Sequence, residues 1–457
     1  MIRWFILLEL LFSLPAIGQK EWSLEECIRY AKENNIQLKQ QTLDIEDTQL
    51  DKKQAISNYG PSVGIGAVHN VTFGRVLDPT TYEFIENKTG IDMNFSISSS
   101  VNLFAGMKNR HTVRRAKVGI RIATLNVEKL KNDLSLNITK AYLDILLLEE
   151  NIRISEQKIN TLKEQKIRTL KLIEAEKNTK GDLLQVESQL YEIENNLIQV
   201  LSQRDIAKLN LCQLMEINFY QDFEIVKPES FVTIPLSFNQ NFSDILSRAQ
   251  SLPEIQSALL EIESSKFDVS IAKAMLFPTL SLNGGYGSQY SDSRKKMKLD
   301  KDKNPIMNGS EIQYEKYSFG TQVKDNRSGY VTLNLSIPIL NSKKYKNQVT
   351  LHEIAKRRTE YNLELKKKQL AIEINEAIIN VTKALAQYRI LEKNVEITRE
   401  TFLYTEKKLN TGVVSYFDYI TALNNLTMAS LQLSLAKYEY LFCKKIIDFY
   451  LGVPITL

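Results

Sequence analysis

Met93-Asn94-Phe95-Ser96-Ile97-Ser98-Ser99-Ser100-Val101-Asn102-Leu103 is the stretch on which the fold turns. Its odd positions carry Met93, Phe95, Ile97, Val101 and Leu103, with Ser99 their one polar member, and its even positions carry only asparagine and serine. A period of two places these sets on opposite faces of a β-strand. Val331, Leu333, Leu335, Ile337 and Ile339 repeat the pattern against Thr332, Asn334 and Ser336, and weaker partners run Val63 to Phe73 and Leu280 to Tyr290. Each run is about ten to twelve residues, close to the ~9 to 11 that cross a bilayer as a tilted strand. A soluble sandwich with one wet face alternates equally well. Four strands are too few to close a barrel, and an open edge in lipid leaves backbone groups unpaired, so a membrane role requires closure with copies of the same chain. The joining segments, 74–91 and 291–327, are polar and suit long outward-facing loops; Arg294-Lys295-Lys296-Met297-Lys298 in the second reads as a solvated charge run.

Outward from the strands the sequence turns helical. Only 17 glycines and 10 prolines occur in 457 residues, about half the roughly 12% of an average chain, so turns are scarce. No proline falls between Pro79 and Pro228 or between Pro338 and Pro454; Gly181 is the only glycine between Gly119 and Gly284, and Gly412 the only one between Gly329 and Gly452. Helices are expected at about 105–175 and 342–408, each near 70 residues and roughly 100 Å long at ~1.5 Å per residue. After the breaks at Gly181 and Gly412 come helices at about 182–216 and 415–451. Two more, at about 23–58 and 242–276, precede the strands, the second interrupted by Pro253. Ser23 with Glu26, Thr179 with Asp182, Asn241 with Asp244 and Ser415 with Asp418 set an oxygen cap three residues before an acid at four of these starts, a capping box or its near variant.

The chain also repeats itself. An offset of 217 residues lays Leu43-Asp44-Ile45-Glu46 on Leu260-Glu261-Ile262-Glu263 and Pro61 on Pro278, and one of 236 lays Leu134, Ile138, Ala141 and Ile145 on Leu370, Ile374, Ala377 and Val381. Steps of four and three alternate along the latter, the seam of a coiled coil or a packed helical barrel. The expected organisation is a signal peptide at 1–18, a first structural repeat at 19–220 (helix, two strands, long helix, helix), a linker at 221–240 and a second repeat at 241–457. The signal rests on one arginine, an apolar stretch and small residues at Ala16 and Gly18 before a cut at Gln19. Its 14 or so apolar residues are too few to span ~30 Å as a helix.

Chemistry has little to work with. Cys27, Cys212 and Cys443, and His69, His111 and His352, are scattered without ligand spacing. No phosphate loop, metal-ligand spacing or nucleophile with a partner is evident, so no catalytic, cofactor-binding or metal-binding residues are expected. A net charge of +5 over 457 residues is too thin to argue for nucleic acid.

An exported chain with two repeats of helix, strand, strand, very long helix, break and helix resembles the TolC-like outer membrane factor (outer membrane efflux protein) family, from Ser23 to Leu451. Leu409-Asn410-Thr411-Gly412-Val413-Val414-Ser415-Tyr416-Phe417-Asp418 is similar to the family's turn at the periplasmic tip of the second hairpin, and Thr179-Lys180-Gly181-Asp182-Leu183-Leu184 is the looser counterpart. The resemblance implies a mainly α fold with a small β part: long antiparallel helical hairpins form a periplasmic α-barrel, and each chain gives four strands to a trimeric 12-stranded outer-membrane β-barrel. It implies an exit duct of a tripartite efflux or type I secretion system, with a homotrimer, a periplasmic adaptor, an inner-membrane RND or ABC transporter and outer-membrane lipid as partners. Asp418, and Asp182 in the first hairpin, would narrow the aperture; Gly181, Thr411, Gly412 and Val413 would form the tip turns that meet the adaptor. Asp418 is equally the acid of a capping box begun by Ser415, and both roles can hold. Leu409 and Val414 stand where better-studied members close the tip with an aromatic and an arginine. The competing reading is an exported coiled-coil structural or adaptor protein without a channel.

Overall fold

The computed structural model describes residues 21–77, 82–218, 223–227, 234–235, 237–340 and 343–456. The expected signal peptide and parts of the linker lie outside them. In chain order the elements are β1 (Glu21–Trp22), α1 (Leu24–Asn34), α2 (Ile36–Ser57), β2 (Ser62–Leu77), β3 (Phe84–Ala105), α3 (Lys108–Glu174), α4 (Lys180–Met215), β4 (Glu224–Ile225), α5 (Phe242–Ala249) and α6 (Pro253–Ala274). They continue with β5 (Thr279–Ser291), β6 (Lys295–Met297), β7 (Met307–Asn308), β8 (Glu311–Ile312), β9 (Tyr314–Lys316), α7 (Phe319–Asp325), β10 (Ser328–Ser336), α8 (Lys344–Asn410) and α9 (Tyr416–Tyr450). Contacts divide the chain into two compact units: a helical one taking residues up to Ile45, Arg121–Leu259 and Tyr361 onward, and a strand-bearing one of Glu46–Ile120 and Leu260–Glu360.

In the helical unit, the four-three series supplies the core. Leu134, Ile138 and Ile145 of α3 are buried together with Leu370, Ile374 and Val381 of α8, Leu211 and Met215 of α4, and Tyr440 and Ile447 of α9. One helix was expected at 23–58, but the chain breaks at Asn35, whose ψ of 127° leaves the helical region. The side chain of Asn35 holds both sides of the break. Its Oδ1 accepts from the Leu38 amide (3.1 Å) as the cap of α2, and its Nδ2 donates to the Leu214 carbonyl at the end of α4 (3.1 Å). A second break, at Pro253, falls where it was expected. The short parallel pair β1–β4 joins Trp22 to Ile225, and the buried Tyr142 hydroxyl donates to the Val226 carbonyl (2.7 Å) with the Trp22 carbonyl 3.1 Å away. Cys27, Cys212 and Cys443 are buried and unbonded to one another; burial pushes the Cys27 thiol up to about 12 and Cys212 up to about 11.

The strand unit holds an antiparallel sheet in the order β10-β5-β3-β2. Register sets Ile65 beside Ile97, Ile97 beside Tyr286, and Leu282 beside Leu333, so one face is apolar across all four strands while the other carries Ser, Asn, Thr and Gly. Much of that apolar face is bare: Ile65 is 85% and Val331 79% exposed. Two expectations need correction. The segment 74–91 is not a long loop, since β2 continues to Leu77 and β3 begins at Phe84. Ile337 and Ile339 lie past the end of β10, because Pro338 offers no amide to the ladder. Gly106, which turns β3 into α3 at φ +58°, was missed altogether; a Cβ there would lie 2.5 Å from the Ala274 carbonyl oxygen.

Candidate functional site

Two helix-to-helix turns carry the residues singled out by sequence, and both are built by the same local chemistry. At the end of α8, the Val413 amide reaches back to the Lys408 carbonyl (3.0 Å) and the Gly412 amide to Leu409 (3.1 Å), with Gly412 at φ +75°. This is a Schellman closure, which requires a left-handed residue at its pivot. At the end of α3 the Lys177 amide reaches Leu172 (2.8 Å) and the Glu176 amide reaches Ile173 (2.9 Å), with Glu176 at φ +56°. The pivot of the first turn is therefore Glu176. Gly181, predicted to mark the break, is the second residue of α4. The 236-residue offset already lays Gly412 on Glu176, so the signal was present, although a left-handed pivot is usually written as glycine.

Each following helix starts on a complete capping box. The Asp418 Oδ2 accepts from the Ser415 amide (3.0 Å) and hydroxyl (2.6 Å), while the Ser415 Oγ accepts from the Asp418 amide (3.2 Å). Asp182 and Thr179 repeat the arrangement at 3.0, 2.8 and 3.3 Å. Hydrogen bonds from Ser415 hold the Asp418 carboxyl below the ordinary carboxylate range. The carboxylate stays exposed, as do Thr411, Gly412 and Val413, whereas Asp182 is half-buried.

A second core just behind the turns brings the hairpins together. Ile159 and Leu162 of α3, Val186, Leu190 and Ile193 of α4, and Tyr416, Tyr419, Ile420 and Leu423 of α9 pack as one cluster, with Phe402 and Leu409 of α8 against it. The Tyr419 ring lies 5.4 Å from Phe402 and 5.9 Å from Tyr416. Burial raises the Tyr416 phenol, and the charge of Asp182 on the other hairpin adds to it; burial pushes Tyr419 up to about 12. Lys166 pairs with Glu187 (2.8 Å) within the first hairpin, and Asn424 donates to Gln189 (3.2 Å) between the two. Tyr416 and Tyr419 were missed as core residues, because Tyr416 sits inside the turn motif and Tyr419 directly after it, rather than on the four-three series. The result is an exposed row of turn residues and an ionised acid, presented on a core shared by both hairpins.

The sequence profile described as outer membrane efflux protein matches residues 27–215 and 246–452. The alkaline protease secretion protein AprF of Pseudomonas aeruginosa is 22% identical over 364 residues, 78% of this chain and 70% of that protein. Among solved structures, the outer membrane protein VceC of Vibrio cholerae superposes with a TM-score of 0.74 at 15% identity, covering 94% of this chain and 96% of that one. The CmeC outer membrane channel of Campylobacter jejuni gives 0.72 at 18% identity, covering 94% and 85%.

Proposed function

The chain belongs to the outer membrane efflux protein family, and from that membership we propose that three copies join their four-stranded sheets into one 12-stranded barrel. The protein is an outer-membrane exit duct of the tripartite efflux or secretion type, extending into the periplasm. The observation that carries closure with further copies is the sheet itself: among the described residues β2 and β10 each have one neighbour, and most of the apolar face running across the four strands is exposed; three copies give twelve strands, where two or four would give eight or sixteen. In lipid such edges must be paired, and copies of the same edges are the available partners.

Within that assembly the two tip turns would meet a periplasmic adaptor through Thr411, Gly412, Val413 and the start of α4 at Gly181. Asp418, with Asp182 behind it, would line the aperture, and three Asp418 carboxylates would favour cations there. An inner-membrane transporter of the RND or ABC type would feed the duct. The name of AprF, an alkaline protease secretion protein, supports a secretion role with protein cargo; small molecules are the other cargo class. The deciding experiment is to extract the protein from membranes with detergent, weigh the complex and record conductance in planar bilayers. A trimer with a heat-modifiable β signal and a conducting pore is expected. A protein released by salt alone, monomeric and without that signal, would instead be the exported coiled-coil protein.

A further inference from the structure

The segment between β5 and β10 places a short helix on the same face of the sheet that faces lipid if the barrel reading holds, and on that reading this inference rests. Register aligns Phe95 with Ser288 and Met93 with Tyr290 on the apolar face. Phe319 of α7 sits on that face, its ring 5.1 Å from Tyr290 and 6.1 Å from Phe95, both edge-on. The helix is pinned there by hydrogen bonds. The Ser288 hydroxyl donates to the Val323 carbonyl (2.7 Å), Asn326 donates to the Gln289 carbonyl (2.8 Å), and the buried Gln322 accepts from the Ser291 amide (3.0 Å) and donates to the Ser291 carbonyl (2.8 Å). Phe319 nevertheless remains 47% exposed.

Depth and charge identify what covers it. From Leu280 to Tyr290 is ten residues, which at ~3.3 Å per residue and a tilt of ~40° rises about 25 Å, the height of the apolar band of an outer-membrane barrel. Tyr290, Phe95 and Phe319 therefore stand where an aromatic girdle meets the outer head groups. Around α7 the charges are mainly basic. Arg294 donates to Asn326 (3.0 Å), Lys296 lies 5.9 Å from the Tyr317 ring, and Lys324 and Arg327 flank the end of the helix. Of the nearby acids, Asp325 is engaged by the Tyr317 hydroxyl (2.8 Å) and Asp292 by the Ile91 amide (2.9 Å), and Glu315 stands opposite Lys296 in the β6–β9 pair.

We propose that α7 and this basic rim form a docking surface for phosphorylated lipid of the outer leaflet, with Phe319 among the acyl chains and Arg294, Lys296, Lys324 and Arg327 on the phosphates. The test uses the full-length protein in uncharged detergent, titrated with bisphosphorylated lipid A, its dephosphorylated counterpart and inorganic phosphate. Lipid A is expected to bind, and Lys324→Gln with Arg327→Gln to weaken it about thirtyfold, at roughly fivefold per charge. Phe319→Ser should weaken it separately, while Lys53→Gln on α2, the loss of one positive charge elsewhere, should not. Equal binding of the dephosphorylated lipid, full displacement by millimolar inorganic phosphate, unchanged affinity in both rim variants, or an equal loss in Lys53→Gln would each overturn the proposal. Conductance and oligomer mass from the same preparations report on the channel reading independently, so a failure of one is not mistaken for a failure of the other.

Discussion

Asp418 is a helix cap in this structure, and its capping bonds fix its charge. Hydrogen bonds from Ser415 keep the carboxyl ionised below the ordinary range, whereas a ring of three such charges would push each one up. Because the group is exposed, solvent and salt screen the ring and the capping bonds should win. Cation selectivity in bilayer recordings is thus expected to persist as pH falls to about 4, the ordinary carboxylate value, and to fade only below it. The same sign governs stability: a depressed folded-state value gives stabilisation present above the unfolded value and lost as pH falls through the folded one. Asp418→Asn keeps an oxygen for the cap but removes the charge, so the permeability ratio should fall severalfold toward one, with a small drop in unfolding temperature from the weaker cap; an unchanged reversal potential would remove Asp418 from the aperture. The turn pivots make a paired prediction. Gly412→Ala forces a side chain to φ +75° with open space around it, a cost in backbone strain of about 1 kcal/mol, while Glu176→Gly should return a similar amount at the first turn. Hydrogen exchange at the amides of 176–177 and 412–413 reads both, faster in the first variant and slower in the second.

At the level of elements, legibility followed chemistry that is local. The four-three seam, the alternating strands and the capping boxes each need only neighbouring residues, and the sequence carried all three. Asn35 did not stand out because its local bond, the cap to Leu38, is one that an asparagine anywhere in a helical run could offer, and the bond that ties the break to the fold goes to a partner 179 positions away, the Leu214 carbonyl. β2 and β3 run longer than the alternation, since Thr, Asn and Gly near their tips blur the pattern while the ladder goes on pairing. Glu176 was hidden because a left-handed pivot is usually written as glycine. The break at Asn35 is testable through its two bonds. Asn35→Asp retains the cap to Leu38 and loses the donor to Leu214, and Asn35→Ala loses both; losses of about 1 and about 2 kcal/mol are expected, read as a graded fall in unfolding temperature of the detergent-solubilised protein. Equal effects of the two variants would show that the cap contributes nothing.

For the whole molecule the decisive fact is where the sheet stops. The order β10-β5-β3-β2 places the edge strands three strand spacings apart within one chain, about 14 Å at ~4.8 Å each. A disulfide spans at most about 7 Å between Cα atoms, so β2 and β10 of one sheet cannot be bridged directly. Between copies in a closed barrel they are neighbours. Single cysteines placed in turn at Gly66, Val68 and Asn70 on β2, each combined with one at Thr332 or Asn334 on β10, hold the polar face on both sides and leave the lipid face untouched. At the register that brings a pair opposite, mild oxidation in membranes should yield disulfide-linked dimers and trimers on non-reducing gels, while pairs two residues out of register should yield little, because a shift of ~6.6 Å along the strand takes their Cα atoms beyond disulfide reach. A ladder ending at three species fixes the copy number, since a closed ring of two or four would end at two or four. Oxidation giving only monomer at every register would mean that the edges find some other partner, and the twelve-stranded barrel would fall with it.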